Sequence, residues 1–567
     1  MFIQDWRDIE NGNLIPTEKG GYCDQPSLAV LPDGSWLCSV TTSGGNEGST
    51  AQYVSIMKSC DNGKSWSAPR RLEPMEDGQY WESSYSKLIA ENGVTVCFYC
   101  YNDMHITPEE AGYPRVDMGI AFCYRYSLDG GESWSERKKI PVGETPFDRI
   151  MPNISPSGKK VPLFWNVAKV LVRDGSVYVP LTKIGNKDYF MSHGEGMLLK
   201  SDDLLKDPEN AHWITLPEDG GSVSAVEGFD TVCEEHCFVM LSDGSVVCTF
   251  RTSRGGVGSA VSRDGGRSFG TSELLRYPDG RAVKNTRANT TFWDIGGGRY
   301  LYWFTNCGHD GYYPRNPTWL CAAVEEKCED GIRMRLSQPE IVLYTTVPGS
   351  GFSYPDIIVE KDRLYISETQ KSVARVHEIP MSFIDVMFRQ FESGAKASET
   401  PDETLCPGIN EVEPLGEIYL MEHFRPSYIT AGLTFGFDAE FRGKELTVLS
   451  RLDEKDCGVT VKLTADGRIE AEIAETRETI LLRSERCLVN GANKAAVVFD
   501  FVAGVGYFVV NGRLLDGGEE EDCGWKLISR GIAGAGNAKK AAVGEGVGCL
   551  KVYRKALTVT ECLLAQR

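Results

Sequence analysis

A short polar string occurs three times at wide spacing along the chain, as SCDNGKSWS at 59–67, SLDGGESWS at 127–135 and SRDGGRSFG at 262–270. All three copies fit Ser-x-Asp-x-Gly-x-x-aromatic. The Asp side chain can accept hydrogen bonds from the backbone of a turn, and the glycine permits a positive φ. Because each copy lies between alternating strand-like segments, the repeat predicts a hairpin turn that recurs in a modular β-fold.

A second repeat consists of apolar segments joined in pairs by tight turns. It occurs six times, as PSLAVLPDGSWLCSV, SKLIAENGVTVCFYC, AKVLVRDGSVYVPL, CFVMLSDGSVVCTF, TTFWDIGGGRYLYWF and PDIIVEKDRLYISE. The first segment of each pair is apolar on both faces, which is typical of strands covered on both sides. Together with the three turns, these pairs predict six four-stranded units. A six-bladed β-propeller over residues 1–392 is the all-β arrangement that closes such units radially and protects their sheet edges.

The pattern changes after residue 392. Residues 393–411 are polar and show no periodicity, which predicts a linker. Residues 412–567 contain alternating segments such as GVTVKLTADGRIEAEI and a VNG turn, which favour a two-sheet β-sandwich. No sugar or calcium site is visible there, so a scaffold or docking domain is predicted, through which a homo-oligomer could form. Carbohydrate binding is the second interpretation of this domain.

Composition limits the classes of function. The net charge is −20 and no basic stripe is visible, which argues against nucleic acid as a partner. No segment is apolar enough to span a membrane, and no metal-ligand cluster or nucleotide loop is visible, so no membrane partner, metal or cofactor is expected. Scattered single cysteines and the absence of a leader-like start favour the reducing cytoplasm, or secretion if a leader has been removed.

The order of the strands assigns candidate residues to one face of the predicted propeller. Both kinds of turn lie on the same face of each blade, so the opposite face receives the starts of first strands, the ends of second strands and the loops that follow. A pocket on the axis should draw on these positions from several blades. They hold the charged and polar residues Asp24, Gln25, Glu47, Glu82, His105, Lys169, Lys183, His193, Glu234, Glu235, Arg251, Arg287, His309, Arg315, Tyr354 and Glu368.

The three Ser-x-Asp strings resemble the Asp-box, or BNR repeat, of the sialidase (neuraminidase) superfamily, and the C-terminal segments resemble the laminin-G/concanavalin-A-like jelly roll. The first resemblance extends to single residues. It implies that Tyr354 in FSYPDIIV is the nucleophile of an exo-acting, retaining glycoside hydrolase and that Glu235 in EEHCFVM activates it. It also implies that Arg251 and Arg315 belong to a carboxylate-binding arginine trio and that Glu47 stands near the acid/base position.

The chain departs from this family at the start of the first blade, where Asp24-Gln25-Pro26 replaces the family's Arg-Ile-Pro. One arginine of the trio is therefore absent and an acid stands nearby, which disfavours ordinary sialic acid as the substrate. The predicted substrate is a glycoside or oligosaccharide with another non-reducing-end sugar, an acidic one included. Asp24, Gln25, His309 and Arg287 are predicted to bind it, with Arg287 compensating for the missing arginine.

The predicted chemistry gives two carboxylates different tasks. A phenol has a pKa of about 10 and is a weak nucleophile, so Glu235 must lie within hydrogen-bond distance of Tyr354 to take its proton. Glu47 would protonate the leaving oxygen, with a pKa raised by burial or acidic neighbours. Two alternatives are open: a rhamnosidase-like hydrolase or polysaccharide lyase that uses His309 or His105, and a propeller that binds carbohydrate without catalysis.

Overall fold

The fold is that of a computed structural model, which describes residues 5–18, 21–76, 78–111, 115, 121–150, 154, 158, 160–185, 194–218, 220–229, 235–415, 432–475, 478–529 and 537–567. Strands make up 46% of the residues and helices 6%, so the prediction of an all-β chain is confirmed. The short helices are α1 (Pro108–Ala111), α2 (Pro146–Ile150), α3 (Met381–Phe388) and α4 (Val559–Gln566). No helix in the described ranges is long and apolar enough to cross a membrane.

The chain begins with β1 (Asn13–Ile15) and then forms six antiparallel sheets, one after another. The first sheet contains β2 (Tyr22–Val30), β3 (Trp36–Ser43), β4 (Tyr53–Ser59) and β5 (Arg70–Arg71). The second contains β6 (Ser83–Glu91), β7 (Val94–Tyr101), β8 (Ala121–Ser127) and β9 (Lys138–Lys139). The third contains β10 (Phe164–Trp165), β11 (Leu171–Arg173), β12 (Ser176–Ile184), β13 (Gly194–Ser201) and β14 (Ile214–Leu216).

The next three sheets repeat this plan. The fourth contains β15 (Cys237–Met240), β16 (Val246–Arg251), β17 (Val257–Ser262) and β18 (Glu273–Leu274). The fifth contains β19 (Thr291–Asp294), β20 (Arg299–Phe304), β21 (Thr318–Cys328), β22 (Gly331–Leu336) and β23 (Glu340–Leu343). The sixth contains β24 (Ser353–Val359), β25 (Arg363–Thr369) and β26 (Ala374–Pro380), and β1 joins it by pairing with β26. This return of the N-terminal segment to the last sheet was not predicted from the sequence.

The six predicted hairpins are present as the strand pairs β2–β3, β6–β7, β11–β12, β15–β16, β19–β20 and β24–β25. One strand from each of the six sheets lines a single cavity of about 530 Å³; these strands are β2, β6, β11, β15, β19 and β24. Strand β2 packs against β6 on one side and against β24 of the last sheet on the other. The first strands of the six hairpins therefore surround a common cavity.

The three Ser-x-Asp turns share one hydrogen-bond pattern. In the first copy, Asp61 accepts from the backbone N–H of Ser65 at 2.8 Å, and the backbone N–H of Gly63 donates to Ser59 Oγ at 2.9 Å. The same bonds recur in the other two copies. Gly63 has a φ of 76°, the left-handed conformation that glycine adopts without a Cβ penalty. These turns are scaffold elements between third and fourth strands.

The C-terminal region forms two antiparallel sheets that share one apolar core. The first contains β27 (Glu403–Leu405), β29 (Gly432–Phe441), β34 (Gly491–Asp500), β35 (Val505–Val510), β36 (Arg513–Leu514), β37 (Lys526–Leu527) and β39 (Val547–Tyr553). The second contains β28 (Gly408–Glu411), β30 (Leu446–Leu452), β31 (Gly458–Leu463), β32 (Ile469–Ala474), β33 (Thr479–Arg483) and β38 (Lys540–Val543).

The linker predicted for residues 393–411 is shorter in the structure. Strand β27 pairs with β39 and β28 pairs with β38, so both strands belong to the C-terminal sheets although they lie within that range. Each is an edge strand of three or four residues, too short to produce a recognisable alternation in the sequence.

The C-terminal sheets pack against the fifth sheet. One apolar cluster contains Tyr302 and Trp319 from the fifth sheet together with Val498 and Leu557 from the C-terminal region. A buried acid joins the same two regions: Glu340 in β23 accepts hydrogen bonds at the start of α4, from the backbone N–H groups that follow Thr558, at 2.9 and 2.5 Å. An acceptor at this place satisfies helix N–H groups that have no partner inside the helix.

Burial raises the pKa of Glu340 to about 7, against the hydrogen bonds from α4, which lower it. The folded chain therefore holds this proton more tightly than the unfolded chain, in which the pKa is close to the ordinary value of 4.5. The contribution of Glu340 to the free energy of unfolding should fall as pH rises from about 4.5 to about 7, by on the order of 3 kcal/mol.

Glu340→Gln should remove this fall, because the amide does not titrate. The measurement is the urea midpoint as a function of pH for the wild type, for Glu340→Gln, and for a control, Glu445→Gln, at an exposed position. A variant that keeps the wild-type slope over this pH interval would contradict the role given to Glu340.

Candidate active site

A strained backbone conformation recurs at the start of the inner strands. Gln25, Tyr85 and Tyr354 have φ values of 52°, 57° and 48°, and Glu235, two residues before β15, has a φ of 55°. In β2, β6 and β24 the ladder register shifts at this point. Bulky residues rarely adopt positive φ, and such strain collects at functional sites. Four inner strands thus begin with the same turn of the backbone.

Two of these four residues meet. The Tyr354 hydroxyl donates a hydrogen bond to Glu235 Oε1 at 2.6 Å, although 119 positions separate them in the chain. The other carboxylate oxygen of Glu235 lies 3.1 Å from Arg251 Nη1. Tyr354, Glu235 and Arg251 are all buried. The contact on which the predicted chemistry depends is present, while the catalytic roles of these residues stay predictions.

The environment of Tyr354 keeps its phenol protonated at neutral pH. Burial is the largest influence, and the negative charge of Glu235 adds to it, so the pKa of Tyr354 lies above its ordinary value. Lys371 and Arg251 act in the opposite direction. Tyr354 can therefore become a nucleophile only as its proton leaves, and Glu235 is the acceptor in hydrogen-bond contact.

Three arginines gather beside this pair. Arg251 and Arg315 both donate to the backbone carbonyl of Arg287, at 3.4 and 2.9 Å. Arg315 also donates to the hydroxyl of Ser353, the residue before Tyr354, at 2.5 Å. The guanidinium carbons of all three arginines lie 5.3 to 6.0 Å from the ring centre of one aromatic residue in the loop before Arg315, Tyr312.

Arg287 and Arg315 differ from Arg251 in their acidic neighbours. Among the described residues, no carboxylate lies within ion-pair distance of Arg287 or Arg315, and the buried Nε of Arg287 has no hydrogen-bond partner. Arginine presents its donors in a fixed fork that suits carboxylates. The cluster Arg251, Arg287 and Arg315 thus has the charge and the donors that suit an anion, and it includes the arginine predicted to compensate for the missing member; its role in binding stays a prediction.

Lys371, which was not among the residues predicted from the sequence, also lies beside Tyr354. Lys371 Nζ lies 2.8 Å from Asp24 Oδ2 and 4.4 Å from the centre of the Tyr354 ring. Asp24 also accepts from the Tyr22 hydroxyl at 2.5 Å and from the backbone N–H of Gln25 at 2.9 Å. Asp24 and Gln25 are each about 1% exposed, so their visible contacts are internal. Their predicted roles in binding the substrate stay predictions.

The prediction that the pKa of Glu47 is raised is wrong. Burial does raise it, but Lys371 at 3.6 Å and Arg115 at 3.1 Å outweigh burial and hold the pKa of Glu47 below its ordinary value. The predicted acidic neighbours are outnumbered by cations that come from two other loops. Glu47 is therefore ionised at neutral pH.

The predicted histidines make other contacts. His309 Nδ1 accepts from the backbone N–H of Gly311 at 2.8 Å, and its side chain is 41% exposed. His105 stacks on Trp81 with ring centres 4.1 Å apart. Within the described part of the chain, no hydrogen bond, ion pair or ring contact joins either histidine to Tyr354 or Glu235. His193 and Glu234 lie outside the described residues.

The C-terminal region supports the loop that carries Tyr312 and Arg315. The indole N–H of Trp525 donates to the carbonyl of Asn306 at 3.0 Å, and the N–H of Gly308 donates to the carbonyl of Asp522 at 2.7 Å. Two backbone positions of this loop are thus fixed by residues more than 200 positions away. The scaffold role predicted for the C-terminal domain has a physical counterpart here.

Comparison with solved structures finds distant similarities. A protein of unknown function from Dyadobacter fermentans is 17% identical, with 65% of this chain and 97% of that chain aligned at a TM-score of 0.46. The sialidase of Trypanosoma rangeli is 11% identical, with 97% of this chain and 96% of that chain aligned at a TM-score of 0.45. The NanB sialidase of Streptococcus pneumoniae is 14% identical, with 65% of this chain and 70% of that chain aligned at a TM-score of 0.43. No protein-family model and no curated protein matches the chain. Because identity and TM-score are low throughout, the fold and the site rest on the chain's own contacts.

Removal of the buried charge on Arg251 should destabilise the protein. Arg251→Met leaves the carboxylate of Glu235 buried without this partner, which should cost about 3 kcal/mol of the free energy of unfolding. The double variant Arg251→Met/Glu235→Gln should recover part of this loss, because no buried charge is then left. Urea denaturation of the four members of this cycle measures the coupling, and additive losses would contradict the ion pair.

Proposed function

We propose that the chain is a retaining glycoside hydrolase that acts on the non-reducing end of an acidic sugar. The observation that carries the proposal is the buried hydrogen bond from the Tyr354 hydroxyl to Glu235 beside the cluster Arg251, Arg287 and Arg315. Tyr354 and Glu235 supply a nucleophile in contact with a base, and the arginines supply a binding site for a carboxylate. A protein that only binds carbohydrate would need the site for an anion but not the buried hydrogen bond between Tyr354 and Glu235.

The proposed scaffold is a six-bladed β-propeller followed by a concanavalin-A/laminin-G-like sandwich. The six successive sheets, the shared cavity and the contact of β2 with both β6 and β24 support radial closure. Radial closure places the starts of inner strands from different blades around one axis. Residues from the first, fourth and sixth sheets then reach one sugar ring.

In the first half of the reaction, the Tyr354 oxygen bonds to the anomeric carbon and the glycosidic C–O bond breaks, with its electron pair leaving on the departing oxygen. The Tyr354 proton passes to Glu235 Oε1 in the same step. A neutral phenol suits a sugar with a carboxylate near the reacting carbon, because a carboxylate nucleophile would repel it; tyrosine-using sialidases are a known exception among glycosidases.

In the second half, water attacks the anomeric carbon, the bond to the Tyr354 oxygen breaks, and Glu235 returns its proton to that oxygen. The attacking water loses a proton to a base, and the ionised Glu47 fits this task better than the donation of a proton to the leaving group. Leaving groups that depart as stable anions should therefore react best, while poor leaving groups should need a protonated Glu47.

Tyr354→Phe tests the nucleophile. The variant keeps the ring and loses the hydroxyl, so kcat/KM on the best glycoside should fall at least about a hundredfold. The measurement uses a panel of aryl glycosides of sialic, uronic and neutral sugars, with NMR of the first product to establish retention. Tyr178→Phe, at a half-buried ring far along the third sheet, is the matched control. Full activity in Tyr354→Phe, or cleavage of nothing by the wild type, would overturn the proposal.

The pH dependence tests Glu47. Because the pKa of Glu47 is lowered, its protonated fraction at neutral pH is small and grows as pH falls. For alkyl glycosides of the preferred sugar, kcat/KM should rise as pH is lowered from neutrality, whereas aryl glycosides with acidic phenols should show little change. Glu47→Gln should abolish the rise. Persistence of the rise in Glu47→Gln would assign proton donation to another group.

A further inference from the structure

Lys371 occupies a place that only closure of the last sheet onto the first explains. It follows β25, has a φ of 70°, and is fixed by two backbone bonds: its carbonyl accepts from the N–H of Cys23 at 3.0 Å, and its N–H donates to Thr369 Oγ1 at 2.9 Å. A lysine with positive φ is uncommon, and the surrounding contacts must hold it there. The loop that follows β25 in the sixth sheet thereby places Lys371 against the first sheet.

The ammonium of Lys371 is held from several sides. Asp24 Oδ2 lies 2.8 Å away and Glu47 Oε2 lies 3.6 Å away. Asp24 is itself fixed by the Tyr22 hydroxyl and by a backbone N–H, so it keeps the ammonium from moving toward solvent. The ammonium lies 4.4 Å from the centre of the Tyr354 ring, within the range of a cation–π contact.

We propose that Lys371 is a positioning residue of this site, whose tethered ammonium stabilises the negative charge that develops on the Tyr354 oxygen when the proton passes to Glu235. The catalytic role of Lys371 rests on the proposed function. The electrostatic interaction between Lys371 and the phenol does not, and it can be measured separately.

The charges around the phenol make this contribution necessary. Glu235 and Asp24 are both negative and oppose the formation of a second anion at Tyr354, whereas Arg251 and Lys371 favour it. Arg251 is engaged with the other oxygen of Glu235 at 3.1 Å. When Glu235 takes the proton and becomes neutral, Arg251 and Lys371 are the two cations left to favour the new phenolate.

Lys371 remains charged through this step. Burial favours the neutral amine, but the negative charges of Asp24 and Glu47 and the hydrogen bond to Asp24 act against it, and the pKa of Lys371 lies above its ordinary value. A permanent cation near a developing anion needs no reorganisation during the reaction, which is the arrangement that stabilises transition states most effectively. Removal of the cation should therefore slow the chemical step more than it weakens binding.

The test measures the phenol directly, without turnover. A polyfluorinated tyrosine placed at position 354 ionises several pH units below tyrosine, and its ¹⁹F resonance reports the titration. In Lys371→Met the pKa of this phenol should rise by about one unit or more, a tenfold change in the ionisation constant. Lys371→Arg, which keeps the cation, should restore most of the shift. Lys371→Gln, which keeps a donor for Asp24, should behave like the methionine variant and serves as a second measurement if that variant folds poorly.

Lys361→Met is the matched control, because Lys361 is exposed in the turn at the opposite end of the same hairpin β24–β25. It should leave the titration unchanged. An unchanged titration in both Lys371→Met and Lys371→Gln would overturn the inference. A shifted titration in a protein that cleaves no glycoside would instead keep the inference and overturn the proposed function. If the protein is active, Lys371→Met should lower kcat by about tenfold with little change in KM, and Lys371→Arg should rescue it.

Discussion

The site depends on the backbone conformation at the start of the inner strands. Gln25, Tyr85 and Tyr354 have positive φ where the ladders of β2, β6 and β24 shift register, and Glu235 has the same φ just before β15, at the point where sheets from distant parts of the chain come together. This conformation is costly for side chains larger than glycine, so the packed sheets must supply the energy that holds it. The hydrogen bond between Tyr354 and Glu235 is one product of that convergence, and it could not form on a single sheet or hairpin.

Electrostatics then separates this site from the rest of the molecule. The chain carries a net charge of −20, yet the described residues of the site bring together five basic and three acidic side chains. They are Arg115, Arg251, Arg287, Arg315 and Lys371 on one hand, and Asp24, Glu47 and Glu235 on the other. The acids are engaged by cations or hydrogen bonds, whereas Arg287 and Arg315 have no carboxylate within ion-pair distance among the residues that the structure describes. We propose that this local excess of positive charge selects small anionic ligands at short range, while the long-range field of the acidic chain disfavours large polyanions.

Much of this arrangement could be predicted from the sequence. The hairpins follow from apolar pairs of segments around tight turns. Their order placed Tyr354, Glu235, Arg251 and Arg315 on one face among other polar residues, and the resemblance to the sialidase superfamily singled these four out. The sequence did not reveal Lys371, because QKSV carries no unusual pattern and its partner Asp24 lies almost 350 positions away. The predicted rise in the pKa of Glu47 was wrong for the same reason. The cationic neighbours of Glu47 come from other loops, so its pKa depends on how the sheets assemble. Edge strands of three or four residues were likewise invisible and made the linker look longer than it is.

The central claim is that Tyr354 forms a covalent bond to sugar, and trapping that bond tests it most directly. An activated, fluorinated analogue of the sugar that the protein cleaves should accumulate as a glycosyl-protein, because the fluorine slows the second half of the reaction. Peptide mass spectrometry is then expected to place the added mass on Tyr354, in stoichiometric amount. A stable adduct on Glu235 or Glu47, or turnover of the analogue with no adduct and with inversion at the anomeric carbon, would contradict the account.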